Sequence, residues 1–138
     1  MAERYLGIAS LDEQHDALLG LIKAFQLAIL GRRPREEIRT IAETALGAVR
    51  AHFRYDEALC EQSGYPGTAE HNFQHQHLLL NATALTEDAL DSRHSPDVIN
   101  ENLELLRELF VAHVARDDRA LADHLAARAA KPDSAPLG

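Results

Sequence analysis

Apolar residues recur along this chain at alternating steps of three and four, the spacing that lines one face of an α-helix. A first stripe reads Leu11, His15, Leu18, Ile22, Phe25, Ile29, and a second Ile38, Ile41, Ala45, Ala48, His52, Asp56, Leu59. A third runs His71, His75, Leu78, Ala82, Leu85, Ala89, and a fourth Ile99, Leu103, Leu106, Phe110, His113. Breaker clusters separate them: Gly31-Arg32-Arg33-Pro34, then Ser63-Gly64-Tyr65-Pro66-Gly67, then Asp91-Ser92-Arg93-His94-Ser95-Pro96. The segments between are long enough for bundle helices of ~30 Å or more. Short connections make sequential neighbours antiparallel, so the pattern predicts an all-α, up-down-up-down four-helix bundle. Ser10 with Glu13 spells a capping box for the first helix, and Ser95-Pro96 opens the fourth with Pro at the first helical position. One domain is expected over residues 1–130, with a flexible tail over 131–138, where periodicity is lost.

Composition narrows the function. The 138 residues are 46% hydrophobic but only 5% aromatic, which suits helices. A formal charge of −8, from 22 acidic and 14 basic residues, repels phosphate backbones and anionic headgroups, so no nucleic-acid or membrane partner is expected. No apolar run approaches the ~18 residues of a membrane span, and Met1-Ala2-Glu3-Arg4-Tyr5 offers no signal-like apolar region. The lone Cys60 allows no internal disulfide and fits a reducing compartment. The expectation is a cytoplasmic monomer.

Polar residues in the seams change the picture most. Five histidines and at least one carboxylate occupy positions that a bundle fills with apolar side chains, and they come from all four helices. Leaving them uncompensated would cost several kcal/mol per group, against a total stability of ~5–15 kcal/mol. Metal coordination resolves the conflict, since it gives each ring nitrogen a partner and each carboxylate a counter-charge. His52 and Asp56 lie four residues apart, as do His71 and His75, so each pair projects from one helix face. Imidazole with carboxylate and no thiolate suits iron, and less strongly manganese or zinc. Candidate ligands outnumber what one ion takes, so the chemistry points to a dinuclear, histidine-rich site.

Leu11-Asp12-Glu13-Gln14-His15 resembles the D-x-Q-H signature that opens the hemerythrin fold, and His52-Phe53-Arg54-Tyr55-Asp56-Glu57 resembles its H-F-x-x-E-E. Gly64-Tyr65-Pro66 followed by His71 and His75 is similar to its G-Y-P…H-x-x-x-H, and His113-Val114 with Asp118 to its H-I-x-x-x-D. The motifs occur in the family's order, one set per helix, and the gaps between them resemble bacterial single-domain members. The resemblance implies that His71, His75 and His113 hold one iron and that His15 and His52 hold the other. Asp56 and Asp118 would bridge the pair together with an oxo or hydroxo group, and dioxygen would bind at the open position of the iron with two histidines. Asp56 stands where the family has glutamate; Glu57 is a substitute only if the helix is distorted. Cys60 stands where the family commonly has methionine and reads as an inert core residue.

The spacing from His113 to Asp118 is five residues, which a regular helix turns into ~140° of separation. Asp117 would face the site better on a regular helix, but the stripe Leu121, Leu125 continues from Asp118 and turns His124 outward. A π-turn between His113 and Asp118 reconciles the two. Phe110 and Val114, with Leu109 alongside, are expected to form an apolar pocket over the open iron, while His77 and His94 read as surface residues. The function expected is reversible dioxygen binding for storage, delivery or sensing, with a separate protein partner if it senses. The competing readings are a di-iron peroxidase or oxidase, and an iron- or nitric-oxide-handling protein. A histidine-rich shell favours binding over oxygen activation.

Overall fold

A computed structural model describes residues 6–91 and 94–129. Its helices are α1 (Ala9–Leu30), α2 (Arg35–Ser63), α3 (Thr68–Ala89) and α4 (Pro96–His113), which passes through a π-helical turn (Val114–Asp118) into α5 (Arg119–Ala129). α1 packs on α2, α2 on α3, α3 on α4 and α4 back on α1. The result is the expected all-α four-helix bundle. No helix among the described residues is long and apolar enough to cross a membrane. The tail expected over 131–138 lies outside the described residues.

The caps show where local sequence acts. At Ser95 the side chain accepts the Val98 amide at 3.3 Å, with Pro96 starting the helix, as anticipated. α2 ends on Gly64, whose φ of 65° places it in the left-handed region. The Tyr65 amide then reaches back to the Cys60 carbonyl at 3.0 Å, which satisfies an end carbonyl and turns the chain toward Pro66. The capping box at Ser10 does not form. α1 begins two residues earlier, at Ala9 with Ile8 as its N-cap, and Ser10 Oγ pairs with the Tyr55 hydroxyl at 2.9 Å. Asp12 acts in its place, its carboxylate accepting the Leu6 and Gly7 amides at 2.7 and 3.1 Å.

All six stripe positions of α1 are buried. In α2 the register drifts: Ala42, Phe53 and Cys60 are buried, while Ile41, Ala48 and Leu59 are only half-buried. The expected stripe advanced 3.5 residues per turn, and a straight helix of 3.6 slips ~20° per heptad from that track. In α3 Thr86 replaces Leu85 for the same reason and turns its hydroxyl to the Ala82 carbonyl at 2.9 Å. The far end of the bundle is apolar, with Phe25, Ile29, Ile38, Ile99 and Leu103 packed together. Toward the other end Leu11, Leu18, Phe53, Phe110 and Val114 form a second apolar cluster, and this one borders the polar residues.

Candidate metal centre

Every helix of the bundle sends a side chain to one buried spot. α1 supplies His15, α2 His52 and Asp56, α3 His71 and His75, α4 His113, and the π-helical turn Asp118. None is more than 3% exposed, and His15, Asp56 and Asp118 are at 0%. Two overlapping sets of potential ligand atoms result: Asp56, His71, His75, His113 and Asp118 in one, His15, His52 and Asp118 in the other, each set within 4.8 Å.

Asp118 divides its oxygens between the two sets. Its Oδ1 lies 2.9 Å from His71 Nε2 and 3.2 Å from His113 Nε2, while Oδ2 lies 3.0 Å from His15 Nε2. Asp56 Oδ2 is similarly placed, 3.3 Å from His71 Nε2, 3.5 Å from His75 Nε2 and 3.8 Å from His52 Nε2. Both carboxylates therefore stand between the two histidine groups, where a bridge between two cations would be. Glu57, the alternative to Asp56, points elsewhere.

Do these residues fit a metal? The Nε2 atoms of His75 and His113 converge to 3.2 Å, which leaves two ring nitrogens competing for one direction. His15 Nε2, His52 Nε2, Asp56 Oδ1 and both Asp118 oxygens are buried without a hydrogen bond of good geometry. Unpaired buried donors and acceptors of this kind each cost ~1–3 kcal/mol. A cation among them removes that cost, so the donor set fits.

The outward nitrogens give independent support. His52 Nδ1 donates to Gln14 Oε1 at 2.6 Å, His75 Nδ1 to Glu57 Oε2 at 3.0 Å and His113 Nδ1 to Asp117 Oδ2 at 2.9 Å. Each acceptor fixes the proton on Nδ1 and leaves the Nε2 lone pair facing the cluster, the arrangement of metal-ligating histidines. Spacing alone does not single out these roles: it offers Glu57 and Asp117 only as ligands, and Gln14 only as part of a motif.

The π-helical turn is present at Val114–Asp118. It inserts one residue into the turn, which swings Asp118 fully inward and leaves Asp117 on the outer side of His113, where Arg116 Nε also reaches it at 3.2 Å. His124 does turn away from the cluster, but not to open solvent. It is half-buried, its Nε2 donates to the Ser63 carbonyl at 3.0 Å, and its ring sits 5.2 Å from Tyr65. Arg128 bonds the same carbonyl, so α5 is tied to the end of α2. Leu125 is half-buried, and Ala122 joins Leu121 in the core instead.

Burial and charge set the protonation of the cluster. Burial pulls His52 down to about 4, with Asp56 opposing, so its ring is neutral at pH 7. Burial also works against a charged His71, but its contacts with Asp118 and Asp56 win and raise it to about 9. Asp118 is held well below the usual carboxylate range, because the nearby imidazoles of His113, His15 and His71 outweigh its burial. Cys60, fully enclosed beside Asp56, is pushed up to about 11 by burial and by the Asp56 and Asp118 charges. A thiol held protonated there is a poor nucleophile.

Above the two-histidine side lies apolar cover. The Phe110 ring stands edge-on to His15 at 5.8 Å and to His52 at 6.3 Å, and Val114 is 1% exposed. Leu109 does not join them: it is 50% exposed on the outer side of α4, since it sits ~100° from Phe110 around the helix. Phe53, unforeseen in this role, stacks flat on His75 at 4.0 Å and 4°. Phe53 and Phe110 also close one end of an apolar cavity of about 50 Å³ that runs past Leu18, Leu78 and Ile22 toward Phe25. His77 and His94 are exposed; His77 stacks on Phe73, and His94 lies 3.7 Å from Asp88.

Comparison with known proteins agrees with this geometry. The chain is 25% identical over 122 residues to a protein named bacteriohemerythrin from Stenotrophomonas maltophilia (strain R551-3), across 88% of this chain and 77% of that one. The family model of the hemerythrin HHE cation binding domain matches residues 6–125. With a buried cluster of histidine and aspartate at the crossing of four helices, and a family match along nearly its whole length, the chain belongs to the hemerythrin family.

Proposed function

We propose that the protein holds two non-haem iron ions in this cluster and binds dioxygen reversibly beside the His15–His52 pair. The observation that carries the reading is the asymmetry of the donor set. One side gathers three histidines and the other only two, with Asp118 and Asp56 between them. His71, His75 and His113 would saturate one iron; His15 and His52 would leave the other with an open position under Phe110. Two ferrous ions held there would supply electrons to dioxygen and a Lewis-acid centre to hold it. The chain's own contribution is positional. Gln14, Glu57 and Asp117 aim the ring nitrogens, Asp118 and Asp56 supply negative charge between the metals, and Phe110, Val114 and Phe53 keep water away. Excluding water and protons would slow loss of the ligand in its reduced form, which would leave the metals oxidised. The histidine-rich donor set favours binding over turnover, and a single cysteine with no partner for an internal disulfide is in keeping with a cytoplasmic location.

An absorption spectrum of the ferrous protein, recorded without oxygen, after air and after degassing, tests this directly. A visible charge-transfer band that appears with air and fades on degassing is the expected result. Irreversible conversion to a ferric spectrum would overturn reversible binding and direct attention to peroxidase or oxidase assays.

A further inference from the structure

The apolar cavity beside the metal cluster is a void in a core that has room for larger side chains. Packed interiors hold few spaces bigger than a water molecule, and an unfilled one costs stability in proportion to its volume. Here about 50 Å³ stays open, several times the ~10–15 Å³ that one water needs. Ala45 and Ala82, both buried, face it from α2 and α3. A leucine at either position would fill much of it. Every residue lining the cavity carries a hydrocarbon side chain. Water inside would lack the polar partners it requires, so the space stays dry and suits a small apolar molecule. Phe110 lines the cavity and also stands edge-on to His15 and His52, so the cavity ends where the two-histidine side of the cluster begins.

On the reading that dioxygen binds beside the His15–His52 pair, we propose that it arrives through this cavity, entering from the α3–α4 surface past Leu106, whose side chain is the gate. Three cavity residues also line depressions of the surface: Leu18 between α1 and α2, Phe53 between α2 and α3, and Leu106 between α3 and α4. Leu18 and Phe53 are only 3% and 4% exposed, and Phe53 is pinned by its stacking on His75. Leu106 is half-buried, and no ring stacking holds it. Rotation about its side-chain bonds is a fast motion for a group that is not fully enclosed. The groove outside it is largely apolar, with Ala84, Leu85, Leu105 and Leu109 along it. Leu106 and Phe110 lie four residues apart on α4, on one face of the helix, so the path from gate to cluster is one helical turn long. A dry, hydrocarbon-lined path admits an apolar diatomic molecule and turns away protons and anions.

Xenon probes the cavity without iron. Raising xenon pressure over the zinc-loaded chain should shift the methyl resonances of Leu78 and Leu103, which line the cavity, and the shift should saturate. Ala82→Leu should abolish it, and Ala45→Val, a milder filling change, should weaken it if the first variant folds poorly. Stopped-flow mixing of the ferrous protein with dioxygen then tests the route. Its rate is readable whether the product is an oxygenated form or ferric protein, so a failure of reversible binding does not mask it. Ala82→Leu and Leu106→Trp should each slow the reaction several-fold, and Leu106→Ala should speed it. Where binding is reversible, Leu106→Trp should slow release by the same factor as entry, because a gate acts on both directions and damage to the metal site does not. Absence of xenon binding overturns the cavity as a ligand space. Unchanged dioxygen rates in the filled variants overturn it as the route, and rates indifferent to both Leu106 variants overturn the gate.

Discussion

The two halves of the metal cluster are built from the same residue type but backed differently. Behind the three-histidine half stand carboxylates: Glu57 on His75 and Asp117 on His113. Behind the two-histidine half stands a neutral amide, Gln14 on His52, and His15 Nδ1 has no partner at all. A carboxylate behind an imidazole raises its donor strength more than an amide does. The first half is thus a strong, closed position, and the second a weaker one roofed by Phe110. Ligand count alone would have suggested an inequality; the backing residues reinforce it in the same direction.

The largest expected effect comes from removing what the halves share. Asp118→Ala takes a carboxylate oxygen from both sets, and metal analysis after reconstitution should find both positions depleted, not one. Retention of one full equivalent would show that the halves are independent. Next is Phe110→Ser, which opens the roof of one half only. It should speed decay of the oxygenated form to the ferric state several-fold and lower thermal stability by about 3 kcal/mol or more, as truncation of a buried aromatic does. An unchanged decay rate would mean that Phe110 is packing and nothing else.

Changing the backing residues sharpens the contrast. Glu57→Gln and Asp117→Asn should each weaken the first-filled position about 10- to 100-fold, read by competition with a chelator using zinc or cobalt. Gln14→Ala should act on the second position alone and by less. Equal effects on both steps would break the asymmetry.

Protonation separates the halves by a smaller margin. His71 carries a proton at pH 7 in the metal-free protein because its value stands near 9, whereas His52, near 4, does not. Filling the three-histidine half should therefore release a proton, and its apparent affinity should rise about tenfold per pH unit up to pH 9. Calorimetry in buffers of different ionisation heat measures that release, and none is expected from His52. For the metal-free chain the signs run in opposite directions. The raised His71 adds stability that is complete below the free-imidazole value of ~6.5 and disappears as pH rises through 9. The depressed His52 removes stability as pH falls from ~6.5 toward 4.

Much of this was legible beforehand because helices write a periodic signature. His15, His52, His71, His75 and His113 are conspicuous as polar residues in apolar stripes, and the shift of the stripe after His113 foretold the π-helical turn that brings Asp118 inward. Leu109 was misassigned because proximity along the chain to Phe110 is not proximity on the helix surface. The capping box failed because Ser10 and Asp12 compete for the same helix start, and the segment Leu6–Gly7 folds back onto Asp12. His124 was placed outside because its spacing says which way it points but not that Ser63 lies there to receive it.

By itself the sequence determined the helices, their order, the breaks between them and the inward-facing histidines, since these follow from local periodicity and turn chemistry. Only the tertiary structure decided what depends on the rotation and depth of one helix against another. That includes the division of Asp118 between two histidine groups, the Glu57 carboxylate behind His75, and the stacking of Phe53 on His75. These contacts join residues far apart in the chain, so their geometry is set by packing, which spacing along a single helix cannot encode.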